Sequence, residues 1–158
     1  MYGETILTNT KLNIAKLLKE EIDTRMTNFT DKTALIIEDD ETSIKVMVQL
    51  LKQVGIPAAI IRDSYDLATQ LGQISAPDVI FLDLEMPQSN GYSVLEYIQR
   101  EANLANIPVV AYTTHTSHLN NAKNAGFHSF LGKPIDGQRF PLLLGKILDG
   151  EPVWEVPS

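Results

Sequence analysis

The 158-residue chain contains no cysteine, which excludes disulfides, thiolate metal sites and a cysteine nucleophile and is compatible with a reducing compartment. No apolar run approaches the ~18 residues needed to cross a bilayer, and the start, MYGETILTNTK, lacks both the basic opening and the apolar core of a secretion signal. A cytoplasmic protein without membrane insertion is expected. Basic charge is scarce: 13 Lys plus Arg stand against 20 Asp plus Glu, a net charge of -7. That sign opposes general attraction to nucleic acid or to an anionic membrane, so protein partners are expected. Internal repeats and low-complexity tracts are also missing. At this length one domain with short extensions is expected, without a second folded output domain.

What is present is a chain with 44% apolar residues, enough for one sizeable core. Short β-branched runs alternate with helical stretches, the pattern of parallel strands joined by crossover helices. The candidate strands are Ala34 to Ile37, Ala58 to Ile61, Val79 to Leu82, Val109 to Tyr112 and Ser129 to Leu131. Several are apolar at consecutive positions, as strands covered on both faces should be. Between them, Ile44, Met47, Val48, Leu51 and Val54 repeat at helical spacing with Gly55 as a stop, and Val94, Leu95 and Ile98 mark another helix. Prolines fall at the junctions, at Pro57, Pro77 and Pro108, where they end helices without removing a sheet hydrogen bond.

The expected organisation is an N-terminal extension over 1–31, a core domain over 32–150 and a tail over 151–158. Residues 10–29 gather Ile14, Leu17, Leu18, Ile22 and Met26 on one face, predicting an amphipathic helix that packs on the core or on a second subunit. The tail, with two prolines and the single tryptophan Trp154, reads as an extended strap.

In a doubly wound sheet, sites form at the carboxyl ends of the strands. That rule gathers Glu38, Asp39 and Asp40, then Asp83, then Thr113 and Thr114, and finally Lys133. Carboxylates crowded into one crevice repel each other, and a hard divalent cation with oxygen ligands relieves the repulsion. Mg²⁺ is the expected ion, since it takes one or two carboxylates and leaves positions for phosphate oxygens. A carboxylate beside it can attack phosphorus to form an acyl phosphate. Asp83 is the expected nucleophile, Lys133 a compact positive charge for a phosphoryl oxygen, and Thr113 a hydroxyl donor to another. Asp40 has a competing reading as a helix cap.

The stretches ALIIEDDE, DVIFLDLEMPQSNG, PVVAYTTHT and SFLGKPI resemble the four signature blocks of response-regulator receiver domains, in the family's order and spacing, over about residues 32 to 149. The resemblance implies a flavodoxin-like α/β fold, a five-stranded parallel sheet of order 2-1-3-4-5, here with an extra N-terminal helix. It implies that Glu38 and Asp39 are the acidic pair, with Asp39 the more direct metal ligand, that Asp83 is the phosphoacceptor and that the backbone carbonyl of Glu85 is a further ligand. Thr113 matches the switch hydroxyl, with Thr114 second. Lys133 and Pro134 match a Lys-Pro pair whose peptide bond is cis in the family, and Phe130 holds the position of the rotating aromatic. Glu85 and His115 fall where relatives tune loss of the phosphoryl group; His118 and His128 read as structural.

By that resemblance the chain is a phosphorylation-dependent switch of two-component signalling. It takes a phosphoryl group from a sensor histidine kinase or phosphotransfer protein and signals to a downstream protein target by altered docking. It is not an enzyme beyond self-phosphorylation and self-dephosphorylation. The alternatives are a constitutive receiver-type binding module and a magnesium-dependent aspartyl-phosphate phosphatase. In relatives the face made by the fourth helix, fifth strand and fifth helix docks partners or dimerises, so a homodimer is one expected assembly. Pro141 disturbs that face, since it predicts a last helix that starts late or bends.

Overall fold

The computed structural model describes residues 2–27, 29–87 and 89–157, with the side chains of 2–4 and 22–27 outside it. In chain order the elements are α1 (Tyr2–Thr27), β1 (Ala34–Ile37), α2 (Glu41–Gln53), β2 (Ala58–Ile61), α3 (Leu67–Gly72), β3 (Val79–Leu82), β4 (Glu85–Met86), β5 (Ser89–Asn90), α4 (Gly91–Arg100), β6 (Val109–Thr113), α5 (Leu119–Ala125), β7 (Ser129–Gly132), α6 (Phe140–Leu148) and β8 (Trp154–Glu155). The main sheet runs β2-β1-β3-β6-β7-β8, with every neighbouring pair parallel. Its first five strands have the expected order. The sixth lies in the tail, whose Trp154–Glu155 pair with β7 as an added edge strand.

The period-two alternation of strand side chains sorts the apolar residues into two layers. Ala34, Ile36, Val79, Phe81, Val110, Tyr112 and Leu131 face Met47 and Leu51 of α2 and Phe140 and Leu144 of α6. Leu35, Ile37, Ile80, Leu82, Val109, Ala111 and Phe130 face Val94, Leu95 and Ile98 of α4 and Ala122 of α5. Both faces are therefore dry. This explains strands such as VIFL that are apolar at every position, and it leaves polar side chains in the sheet only at the strand ends.

Asp40 caps α2, its Oδ2 accepting from the Ser43 amide at 2.8 Å, and Gly55 follows the helix at φ +79°. A left-handed residue after the last turn costs glycine nothing. Pro141 falls in the first turn of α6, where no backbone donor is needed, so the late start is what the sequence predicts. The Asp136 carbonyl accepts from the amides of Arg139 and Phe140 and joins the loop to that helix.

The predicted N-terminal helix is longer than 10–29 suggests and contacts α6. Residues 5–21 are exposed throughout, including Ile14, Leu17 and Leu18, and the expected positions of Ile22 and Met26 on their face lie outside the described residues. Among the described residues no helix is long and apolar enough to cross a membrane.

The tail is held by particular contacts. The Phe130 amide donates to the Val153 carbonyl at 2.8 Å, and the Val153 amide donates to Ser129 Oγ at 2.9 Å. Arg139 grips the Glu155 carboxylate with both terminal nitrogens, at 3.2 and 2.7 Å, while the Lys123 ammonium sits 4.8 Å from the Trp154 ring centroid. β8 thus covers an edge that β7 would otherwise present to solvent.

Candidate phosphoacceptor site

The carboxyl ends of β1, β3, β6 and β7 converge, as the topology dictates. Glu38 follows β1 and is fully buried, Asp83 follows β3 and is 7% exposed, and Asp39 is exposed. Each offers a carboxylate oxygen within 4.8 Å of the others. A neighbouring carboxylate charge and removal from water both favour the protonated form of Asp83. Burial, followed by the Glu38 charge, pushes the Asp83 carboxyl up to about 7, while Lys133 and the Glu85 backbone amide pull it down.

Lys133, one residue past β7, reaches back across the sheet. Its Nζ donates to Glu38 Oε2 at 2.6 Å and to Ser43 Oγ at 2.9 Å. The Lys133–Pro134 peptide is cis. Thr113 ends β6 fully buried; its Oγ1 accepts from the His115 amide at 3.1 Å, and its carbonyl accepts from the Lys133 amide at 2.8 Å. Thr114 is exposed. Phe130 is completely buried in the layer under α4 and α5. Asp40 turns away from the acidic group to cap α2, and hydrogen bonds from Ser43 hold its carboxyl below the usual range.

The Glu85 side chain is exposed and points to the loop after β6, with Oε2 2.8 Å from His115 Nε2 and Oε1 3.8 Å from His118 Nε2. The other His118 nitrogen lies 3.1 Å from Tyr92 Oη. This cluster joins the β4–β5 hairpin to the 3₁₀ turn Thr116–His118. Two histidines three residues apart give no sign of it in the sequence, because Glu85 and Tyr92 come from another crossover.

Three further residues shape the crevice without standing out in the sequence. Ser43 and Tyr112 contact the Lys133 side chain, Tyr112 with its ring centroid 4.4 Å from Nζ. Gly91 backs onto the loop after β3, where a Cβ would lie 2.5 Å from the Asp83 carbonyl oxygen. Period-two spacing is a usable signal for Tyr112, since it shares the Leu131 layer toward which Lys133 also points.

An all-oxygen trio of crowded carboxylates suits a hard divalent cation. The donor set at Glu38, Asp39 and Asp83 therefore fits Mg²⁺ chemically.

Residues 34–144 match the response regulator receiver domain family. The polar-differentiation response regulator DivK of Brucella anthropi is 27% identical over 111 residues, covering 69% of this chain and 89% of that protein. Among solved structures, the chemotaxis response regulator CheY4 of Vibrio cholerae is 20% identical with a TM-score of 0.66, covering 75% of this chain and 99% of that one. The receiver domain of sensor histidine kinase PA1611 from Pseudomonas aeruginosa, described with magnesium coordinated in its active-site cleft, is 22% identical with a TM-score of 0.66, covering 75% and 98%.

Proposed function

The chain belongs to the response regulator receiver domain family of two-component signalling, and from that premise we propose that it is a phosphorylation switch whose phosphoacceptor is Asp83. The observation that carries the reading is the convergence, at three strand ends, of Glu38, Asp39 and Asp83 with the Lys133 ammonium 2.6 Å from Glu38. With a divalent cation held by the carboxylates, this arrangement would suit a phosphoryl dianion.

In this reading an Asp83 oxygen attacks phosphorus on a donor phosphohistidine. The new O–P bond forms as the P–N bond breaks, and the imidazole nitrogen keeps the electron pair. Glu38, Asp39, Asp83 and the Glu85 carbonyl would hold Mg²⁺. When bound, that ion offsets charge on the phosphoryl oxygens. The Lys133 ammonium exchanges Glu38 for a phosphoryl oxygen. The Thr113 hydroxyl, which uses its lone pair on the His115 amide, has its hydrogen free to donate to another. Phosphorylation brings about two negative charges to a single point. Reversing a 1:99 population takes ~5.5 kcal/mol of differential binding.

Receiver domains interact with histidine kinases and downstream targets, and the readout proposed here is altered docking of a partner protein. Phe130 is the aromatic that repacks as Thr113 moves. Beryllofluoride with Mg²⁺ tests this: amide NMR shifts should centre on Asp83, Thr113 and Lys133 and be lost in Asp83→Asn. Equal shifts in that variant would remove the reading.

A further inference from the structure

Lys133 carries the positive charge that the proposed transfer needs, and lysine is a flexible four-carbon stem with a strongly hydrated head. Left free, it would have to be ordered at the moment of reaction, at a cost in side-chain entropy. Here it is already seated. Its ammonium has three donors; one goes to Glu38, one to Ser43, and the Tyr112 ring lies against the remaining side.

The seat is itself fixed from both flanking elements. Ser43 Oγ donates its only hydrogen to Asp40 Oδ2 at 2.7 Å, so its lone pairs are turned to Lys133. Asp40 Oδ2 also accepts the Ser43 amide, which pins Ser43 in the first turn of α2. From the opposite side Tyr112, anchored in β6, donates its hydroxyl to the Ser43 carbonyl at 3.4 Å and presents its ring face to the cation. A cation over an aromatic face is attracted by the ring quadrupole, more strongly where water is excluded, and the Lys133 side chain is only 12% exposed.

We propose that Ser43 and Tyr112 are positioning residues that seat the Lys133 ammonium before phosphoryl transfer, so that the incoming phosphoryl group replaces one partner, Glu38, instead of ordering a free side chain. This rests on the phosphoacceptor reading for its consequence but not for its geometry. The helix cap thereby gains a second task, since the carboxylate that starts α2 also orients the hydroxyl that holds the lysine.

The test uses the full chain and two readouts. The first is the rate of phosphorylation by acetyl phosphate with Mg²⁺. Ser43→Ala should slow it by about tenfold, the scale of one lysine side chain's ordering entropy. Ser43→Thr, which restores a hydroxyl, should recover most of the loss. Tyr112→Leu should slow it more than Tyr112→Phe, and Ser43→Ala should have no further effect in a Lys133→Ala background. The second readout is the rate at which acetic anhydride modifies Lys133, followed by peptide mass spectrometry. Ser43→Ala should raise it several-fold and Ser43→Thr should not.

If wild-type protein takes up no phosphoryl group, the phosphoacceptor reading fails while the labelling rates still decide the seat. Unchanged labelling in Ser43→Ala overturns the proposal. So does an equal slowing by Ser43→Ala with and without Lys133. Should Tyr112→Leu not fold, the Ser43 pair alone decides.

Discussion

The amide of Lys133 donates to the carbonyl of Thr113 at 2.8 Å, so the ends of β6 and β7 are tied at the point where each contributes a side chain to the crevice. Thr113 also pairs with Gly132 in the ladder. Any shift of the Thr113 main chain would therefore move the strand that carries Lys133 and Phe130.

The second strand-end tie lies behind Asp83. Gly91 opens α4 with its amide on the Leu84 carbonyl at 2.9 Å, and a Cβ there would meet the Asp83 carbonyl oxygen at 2.5 Å and Leu84 Cα at 2.9 Å. Both neighbours are backbone and cannot rotate away. Gly91→Ala should destabilise the fold by about 2 kcal/mol, the scale of overpacking in a filled core, although alanine is the better helix former. Urea unfolding measures this, and a neutral or stabilising substitution would show that the loop has room.

Asp83 has a proton affinity raised to about 7 by burial and by Glu38, and the sign of its effect follows from linkage. Between about pH 4 and 7 the folded state holds a proton that the unfolded chain has released, so stability falls as pH rises through that window. Asp83→Asn should thus stabilise the metal-free protein by about 2 kcal/mol at pH 8 and by almost nothing near pH 4. Added Mg²⁺ should stabilise wild type and reduce the difference. Melting temperatures at the two pH values check both statements, and a pH-independent difference would contradict the stated environment.

Gly132 is the neighbour of the tail. A Cβ there would lie 2.7 Å from Pro157 Cδ and 3.4 Å from Val156 Cα. Gly132→Ala should loosen β8 from β7. Because the chain has a single tryptophan, at position 154, its emission reports the tail directly. The expected outcome is a red shift with a lower melting temperature; unchanged emission would mean that the tail can step aside at no cost.

Loss of the α2 cap is a smaller effect. Asp40→Ala removes the acceptor for both the amide and the hydroxyl of Ser43 and should cost about 1 kcal/mol. Chemical denaturation tests it, and an unchanged midpoint would show that water satisfies those donors equally well.

These features were not equally legible in the sequence. β1, β2 and β3 begin and end where the apolar runs do, because a strand buried on both faces has no polar position until it leaves the sheet. β6 and β7 each run one residue past the predicted ends, through Thr113 and Gly132. Ladder pairing decides those limits, and side-chain character does not reveal it. β8 carries no periodicity in two residues beside two prolines, and it exists because β7 offers an open edge. The meeting of Glu38, Asp39 and Asp83 followed from topology alone, as did the approach of Lys133. Ser43 and Tyr112 looked like a helix filler and a core aromatic. What distinguishes them is their contact with a lysine ninety residues from one and twenty-one from the other.

The central claim is that Asp83 accepts a phosphoryl group, and intact-mass measurement after incubation with acetyl phosphate and Mg²⁺ tests it most directly. The account predicts a gain of one phosphoryl group in wild type, mapped to the peptide containing Asp83, and none in Asp83→Asn. Equal uptake by both proteins, or uptake mapped to another residue, would contradict it.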